Sequence, residues 1–395
     1  MDDAPADNKK STGPLWDRLK SNWASGKMSA AEVQGMAMDA LKQGAQGMGD
    51  MASLGASGTH PQNCYRALKN ALGLPPGAPN FYWARIPTIH GDRTWHPFLL
   101  PHEFFASFLN AEPAKWTAAI GGRSGAALEF WQSMRGSDFV RLHPNLPKSS
   151  WSRTVPLGMH GDGASFSKQD SVYTFSWNSL IGTGGTMAKR FVATVMKKTD
   201  MVDDSMDVIA RIMSWSFNVL LSGTTPSMDW EGQPLGGGGE ELAGGWRGSI
   251  CQLRGDWAVY CELFKFPQWN SAERMCWLCK ASSTNPAMAW VRFGPGAGWR
   301  KTKWTHEAYL AFLRAAGLAI PALLAIAIGF RLDCVMIDVL HTVDQGVASH
   351  IIANVMWHFA VVRRAFGGTN QEQCVNNLYS HLQRWNKQVK PATTI

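Results

Sequence analysis

The chain has 395 residues, 45% of them apolar, enough for a real core and for roughly two or three domains. A net charge of +8 turns the expected partners toward polyanions, chiefly nucleic acid or an anionic membrane surface. The 7 cysteines show no dense, regular spacing, which excludes a disulfide scaffold and points to a reducing compartment, and the 19 tryptophans read first as packing residues.

In chain order, residues 1–14 (MDDAPADNKKSTGP) are polar and lack an apolar core segment. They read as a disordered tail and not as a secretory signal. Residues 15–150 read as a mainly helical N-terminal region, with Ala30–Leu41, Leu99–Leu109 and Gly125–Met134 as its clearest helices. Near Trp151 the texture changes. Thr154–His160 is an apolar run ending at a Gly-Asp-Gly turn and reads as a strand that presents Asp162. Ser171–Ile181 and Lys189–Lys197 read as second and third strands, Asp200–Leu221 has helical period, and Ser249–Leu253 reads as a fourth strand. Gly255 and Asp256 follow, and Trp257–Phe264 should open a helix. Ala315–Phe330 carries no charge, but it falls short of the ~20 residues a span requires and Pro321 interrupts it. It reads as a buried helix–turn segment, and a membrane is not among the expected partners.

The order strand, strand, strand, helix, strand, helix predicts an α+β or α/β fold. Its core over 151–395 is ribonuclease-H-like, a mixed sheet flanked by helices. The first three strands form an antiparallel meander and the fourth returns beside the first. Asp162 and Asp256, far apart in sequence, then become neighbours. Carboxylates converging from separate strands are the hard oxygen donors that Mg²⁺ or Mn²⁺ needs for phosphodiester chemistry. Gly161 and Gly163 would let backbone and phosphate approach closely, with His160 beside them. The plainer readings are a turn aspartate at Asp162 and a helix N-cap at Asp256.

Two further groups carry metal-ligand chemistry. Cys276-Trp-Leu-Cys279 is half a zinc site, a redox pair or an unligated pair. A zinc site needs two more donors, with His341 the best third and His350, Cys334, His306 and His358 weaker options for the fourth. Asp338, His341 and Asp344 recur three apart, which suits one side of a helix, either a solvated polar face or part of a metal site.

Three blocks resemble eukaryotic transposases of the CACTA (En/Spm) group and the related Plavaka and Zisupton-like group. They are VPLGMHGDGASFSK (155–168), GDWAVYCELFKFPQWNSAERMCWLC (255–279) and DVLHTVDQGVASHIIANVMW (338–357). The resemblance covers roughly residues 150–360. It implies a DDE-type DNA transposase working by a two-metal mechanism in the nucleus, with Asp162 as first acid and Asp256 as second. It also implies a CxxC…H element at 270–345, in which Cys276, Cys279 and His341 hold a structural Zn²⁺ and Asp338 supports them. The family's third acid lies on a later helix. Glu372 is the candidate here, without a motif match, so a C-terminally incomplete and inactive core is also expected. DNA is the partner implied, with a homo-oligomer left open. The alternatives are a non-catalytic DNA-binding or interaction protein derived from a transposase, and an unrelated metal hydrolase.

Overall fold

A computed structural model describes residues 13–24, 28–48, 51–52, 81–165, 170–268, 270–273, 276–338 and 348–389. The chain divides into two compact units, residues 1–78 and 79–395. In the first, α1 (Pro14–Ala24) and α2 (Ala30–Lys42) bury Trp16, Leu19, Val33 and Ala37 against Met48 and Met51. A reciprocal cap starts α2: Ser29 Oγ accepts from the Glu32 amide at 3.2 Å, and the Ser29 amide donates to Glu32 Oε2 at 2.6 Å.

The second unit opens with a feature that the helical reading of 15–150 missed. Tyr82–Thr88 (β1) and Gly91–Phe98 (β2) form an antiparallel hairpin. Its signal is β-forming alternation: Ala84 and Ile86 are buried while their neighbours Trp83 and Arg85 face out. The expected helices follow as α3 (Pro101–Ala111) and α4 (Ala126–Ser133).

The centre is a mixed four-stranded sheet of β3 (Thr154–Ser165), β4 (Ser171–Ser179), β5 (Arg190–Lys197) and β6 (Arg247–Gly255), in the spatial order β5-β4-β3-β6. β3, β4 and β5 run antiparallel as a meander. α5 (Ser205–Ser222) then carries the chain across, and β6 pairs parallel with β3. This is the α+β arrangement and strand order that the sequence predicts.

One face of the sheet is closed. Leu157, Met159, Phe175 and Trp177 alternate onto it and are fully buried beneath α3, α5 and α6 (Trp257–Phe264). Phe104, Phe191 and Trp177 form a three-ring cluster, with centroid separations of 6.0 Å (Phe104–Trp177), 4.8 Å (Phe191–Trp177) and 4.9 Å (Phe104–Phe191). The opposite face carries His160, Asp162, Thr174, Ser176, Asn178 and Arg254, because these residues alternate out of phase with the apolar set.

Beyond β6 the chain folds through α7 (His306–Ala315) and the short helix Ala322–Ile326, where Ala322, Leu323 and Leu324 are buried as the helix–turn reading of 315–330 expects. Among the described residues no helix is long and apolar enough to cross a membrane. The chain ends in α8 (Ser349–Trp357) and α9 (Gln371–Val389).

Candidate functional site

The site grows out of one register. β3 and β6 run side by side with Gly161 opposite Gly255; the next residue along β3 is Asp162, and the first residue past the end of β6 is Asp256. Adjacent strands lie roughly 4.8 Å apart, and alternation along β3 puts Asp162 on the open face with His160, whereas Asp256 stands at the start of the helix that follows β6. Asp162 does not sit in a turn. It pairs with Thr174 inside a strand that runs on to Ser165, so the Gly-Asp-Gly run is extended backbone. β6 stops at Gly255, which leaves the β6 side of Asp162 without a ladder partner. The carboxylate is exposed there.

Asp256 does what the plainer reading says, and this does not remove it from the site. Its Oδ1 accepts from the Val259 amide at 2.8 Å and caps α6. Oδ2 is the remaining donor atom.

The glycines serve a different purpose from the one expected. A Cβ on Gly161 would stand 2.8 Å from Val259 Cγ1 and 3.0 Å from Phe175 Cε1, and one on Gly255 would stand 2.6 Å from the Gly161 carbonyl. At Gly163 it would meet Lys198 Nζ and Tyr173. At Gly161 and Gly255 the side-chain space is taken by the protein's own atoms. These two glycines bring α6 down onto β3, which is what sets its capping aspartate beside Asp162.

His160 is half-buried on the same face. Burial pushes its imidazole below its ordinary value, Arg190 and Arg254 push the same way, and Asp162 and Asp338 oppose them. Asp338 belongs to this edge by backbone geometry as well. Val335 bridges Leu253 in parallel, the Met336 amide donates to the Leu253 carbonyl at 2.8 Å, and the Tyr260 hydroxyl donates to the Met336 carbonyl at 2.7 Å. Residues 335–338 thus run alongside β6 toward Asp256.

Two residues here have no signal in the sequence. The Tyr173 hydroxyl donates to Glu262 on α6, and Lys198 Nζ lies 4.0 Å from the Tyr173 ring centroid. Burial and the Glu262 carboxylate both push the Tyr173 phenol far up, so it stays a donor. The pair ties β4 to α6 just under the acidic edge.

Cys276 and Cys279 come together. Burial, the largest cause, and the neighbouring Cys279 push the Cys276 thiol up to about 11, and the backbone amides of Leu278 and Cys279 act the other way. Trp277 between them anchors the loop, stacked on Phe266 with centroids 5.0 Å apart. Two neighbouring cysteine sulfurs supply half of a tetrahedral Zn²⁺ donor set. His341 and Asp344 lie outside the described residues, as does Cys64. Of the other donors considered, His306 accepts from the Leu332 amide through Nδ1 at 3.1 Å, Cys334 is buried with Cys251 as its charged-state neighbour, and His350 and His358 lie on the exposed C-terminal helices. Glu372 is exposed in the first turn of α9, whose main packing is against His358–Val362. It is not brought to the two aspartates. Among the described residues no three His, Cys, Asp or Glu side chains form a metal-holding group.

Comparison with protein-family models gives no match for this chain, and comparison with curated proteins gives none either.

Proposed function

We propose that this chain is the ribonuclease-H-like core of a DDE-type DNA transposase. The observation that carries the reading is the parallel register of Gly161 with Gly255, which sets Asp162 and Asp256 side by side at one edge of the sheet. Hard-oxygen donors on a rigid support, Asp162 exposed and Asp256 half-buried, fit Mg²⁺ or Mn²⁺, and two such ions would supply the charge neutralisation that phosphodiester transfer requires. Asp162 would bind from the unpaired edge of β3. Asp256 would bind through Oδ2 while Oδ1 keeps α6 in place, and Asp338 adds a further carboxylate to the same edge. Cys276 and Cys279 would hold a structural Zn²⁺ with His341. DNA is the partner of this reading and the nucleus its compartment. A homo-oligomer stays open.

The test is Mn²⁺-dependent nicking of supercoiled DNA by the full chain beside Asp162→Ala. Nicking by the wild type that falls at least 100-fold in the variant is expected. Equal nicking by both refutes the assignment.

A second reading, a non-catalytic DNA-binding protein derived from a transposase, draws on the exposed position of Glu372 away from the acidic edge. It predicts DNA binding by the wild type without nicking. The third, an unrelated metal hydrolase, rests on a different strand order and gains no support from the one observed.

A further inference from the structure

Four residues back along β3 from Asp162, the open face changes sign. Arg254, Arg190 and Lys189 converge on a cavity of about 290 Å³ that Asn178 and Thr186 also line. Arg254 reaches it by lying across the sheet from β6. The path exists because Gly158 has no side chain: a Cβ there would stand 2.6 Å from Arg254 Nη2. At the end of that path the guanidinium donates to Asn178 Oδ1, and Asn178 Nδ2 in turn donates to the Ser179 carbonyl at 2.7 Å. Arg190 is the cross-strand partner of Asn178 on the far side. Among the described residues Lys189 Nζ reaches only the Gly182 carbonyl, at 3.4 Å.

The arrangement is electrostatically unbalanced. None of the three cations forms an ion pair among the described residues. The Nε–H of Arg254 is buried and meets no acceptor among them. A protein seldom holds a half-buried guanidinium beside a second arginine with no anion, because desolvation and like-charge repulsion both oppose it. A planar fork of donors facing two further cations suits the oxygens of a phosphate.

We propose that the Arg254–Arg190–Lys189 cavity is an oxyanion subsite that takes a backbone phosphate of a nucleic-acid strand. Arg254 is the penultimate residue of β6, two before Asp256, and the Gly158 row lies about 13 Å along β3 from Asp162. A strand held in the cavity would present one of its next few phosphodiesters to the acidic edge. The subsite rests on the nuclease reading only for its choice of polymer, since the cavity, the cations and the buried donor stand without it.

The experiment therefore omits metal. Binding of a fluorescent single-stranded DNA oligonucleotide to the full chain is measured in EDTA across a salt series, for wild type, Lys189→Gln, Arg190→Gln and Asp162→Ala. Each cationic variant should weaken binding at least threefold and flatten the slope of log K against log salt by about 0.7 per lost contact. Asp162→Ala should bind as well as wild type or better. Unchanged affinity and slope in both cationic variants overturn the subsite. Should inorganic phosphate raise the melting temperature of wild type but not of Arg190→Gln while DNA affinity stays unchanged in the variants, the cavity takes free phosphate and the nucleic-acid assignment is refuted. Wild type that never nicks DNA, with the binding losses as expected, removes the nuclease reading and leaves the subsite standing. Circular dichroism of each variant checks that its fold is intact.

Discussion

The two faces of the central sheet are made of alternate residues of the same strands, yet they answer to different physics. On the closed face Leu157, Met159, Phe175 and Trp177 are fully buried, and Gly161 is a glycine because Val259 and Phe175 occupy its side-chain volume. On the open face His160, Asp162 and Arg254 stand over the same backbone with their charges only partly balanced. The closed face fixes positions to within a methyl group, and the open face spends that precision on holding groups that would not choose each other's company. Substitutions on the closed face should therefore cost stability first, and those on the open face function first.

The sharpest way to break this contrast is Trp177→Ala. It removes a fully buried indole that packs against Phe104 and Phe191, and should cost about 3–5 kcal/mol in denaturant unfolding. A loss under 1 kcal/mol would mean that the closed face is loosely packed.

Next comes Gly161→Ala, which forces a methyl against Val259 and should cost about 1–3 kcal/mol. It should also impair nicking, because α6 and its capping Asp256 must shift. Unchanged stability would show that the close approach is not required.

Acidification tests the buried histidines that support the sheet. Burial holds His102 at about 3 and His143 at about 4, below the ordinary 6.5. Ser216 Oγ lies 2.9 Å from His102 Nδ1 and accepts from the His102 amide at 3.2 Å, so its hydroxyl proton is free to bond a neutral ring. As pH falls below 6.5 the unfolded chain takes up these protons first. Stability should drop from there by up to about 1.4 kcal/mol per pH unit for each histidine, levelling off only near pH 3–4. Chemical denaturation at pH 7, 6 and 5 measures the slope, and His102→Gln should reduce it. A flat profile would contradict the burial of both rings.

The smallest expected stability effect separates the two duties of Asp256. Asp256→Ala should lose about 1 kcal/mol with the N-cap, whereas Asp256→Asn should keep the cap. Both should lose nicking. An Asn variant that nicks as wild type would leave Asp256 a cap and nothing more.

The candidate site was legible to different degrees in different residues. Asp256 was visible as a residue that opens a helix, and it does so. Asp162 was visible only as an aspartate between glycines, a pattern that equally describes a turn. What makes it a strand residue is its pairing with Thr174, a partner that local sequence does not name. The β1–β2 hairpin went unread because its alternation is short and interrupted by Pro87 and Pro97, and its pairing with the neighbouring strand is what stabilises it. Glu262 and Arg254 carried no motif at all. Their roles follow from what lies across the sheet or under the helix.

By itself the sequence determined the order of strands and helices from Thr154 to Phe264, since period and turn chemistry are local properties of the chain. With them came the meander and the parallel return of β6. Only the tertiary structure decided which side chains meet. It filled the glycine space with Val259 and Phe175 where the sequence suggested substrate, placed Asp338 beside β6, and gathered Lys189, Arg190 and Arg254 into one cavity. The physical reason is that contact across strands depends on register, and register is set by how the whole closed face packs.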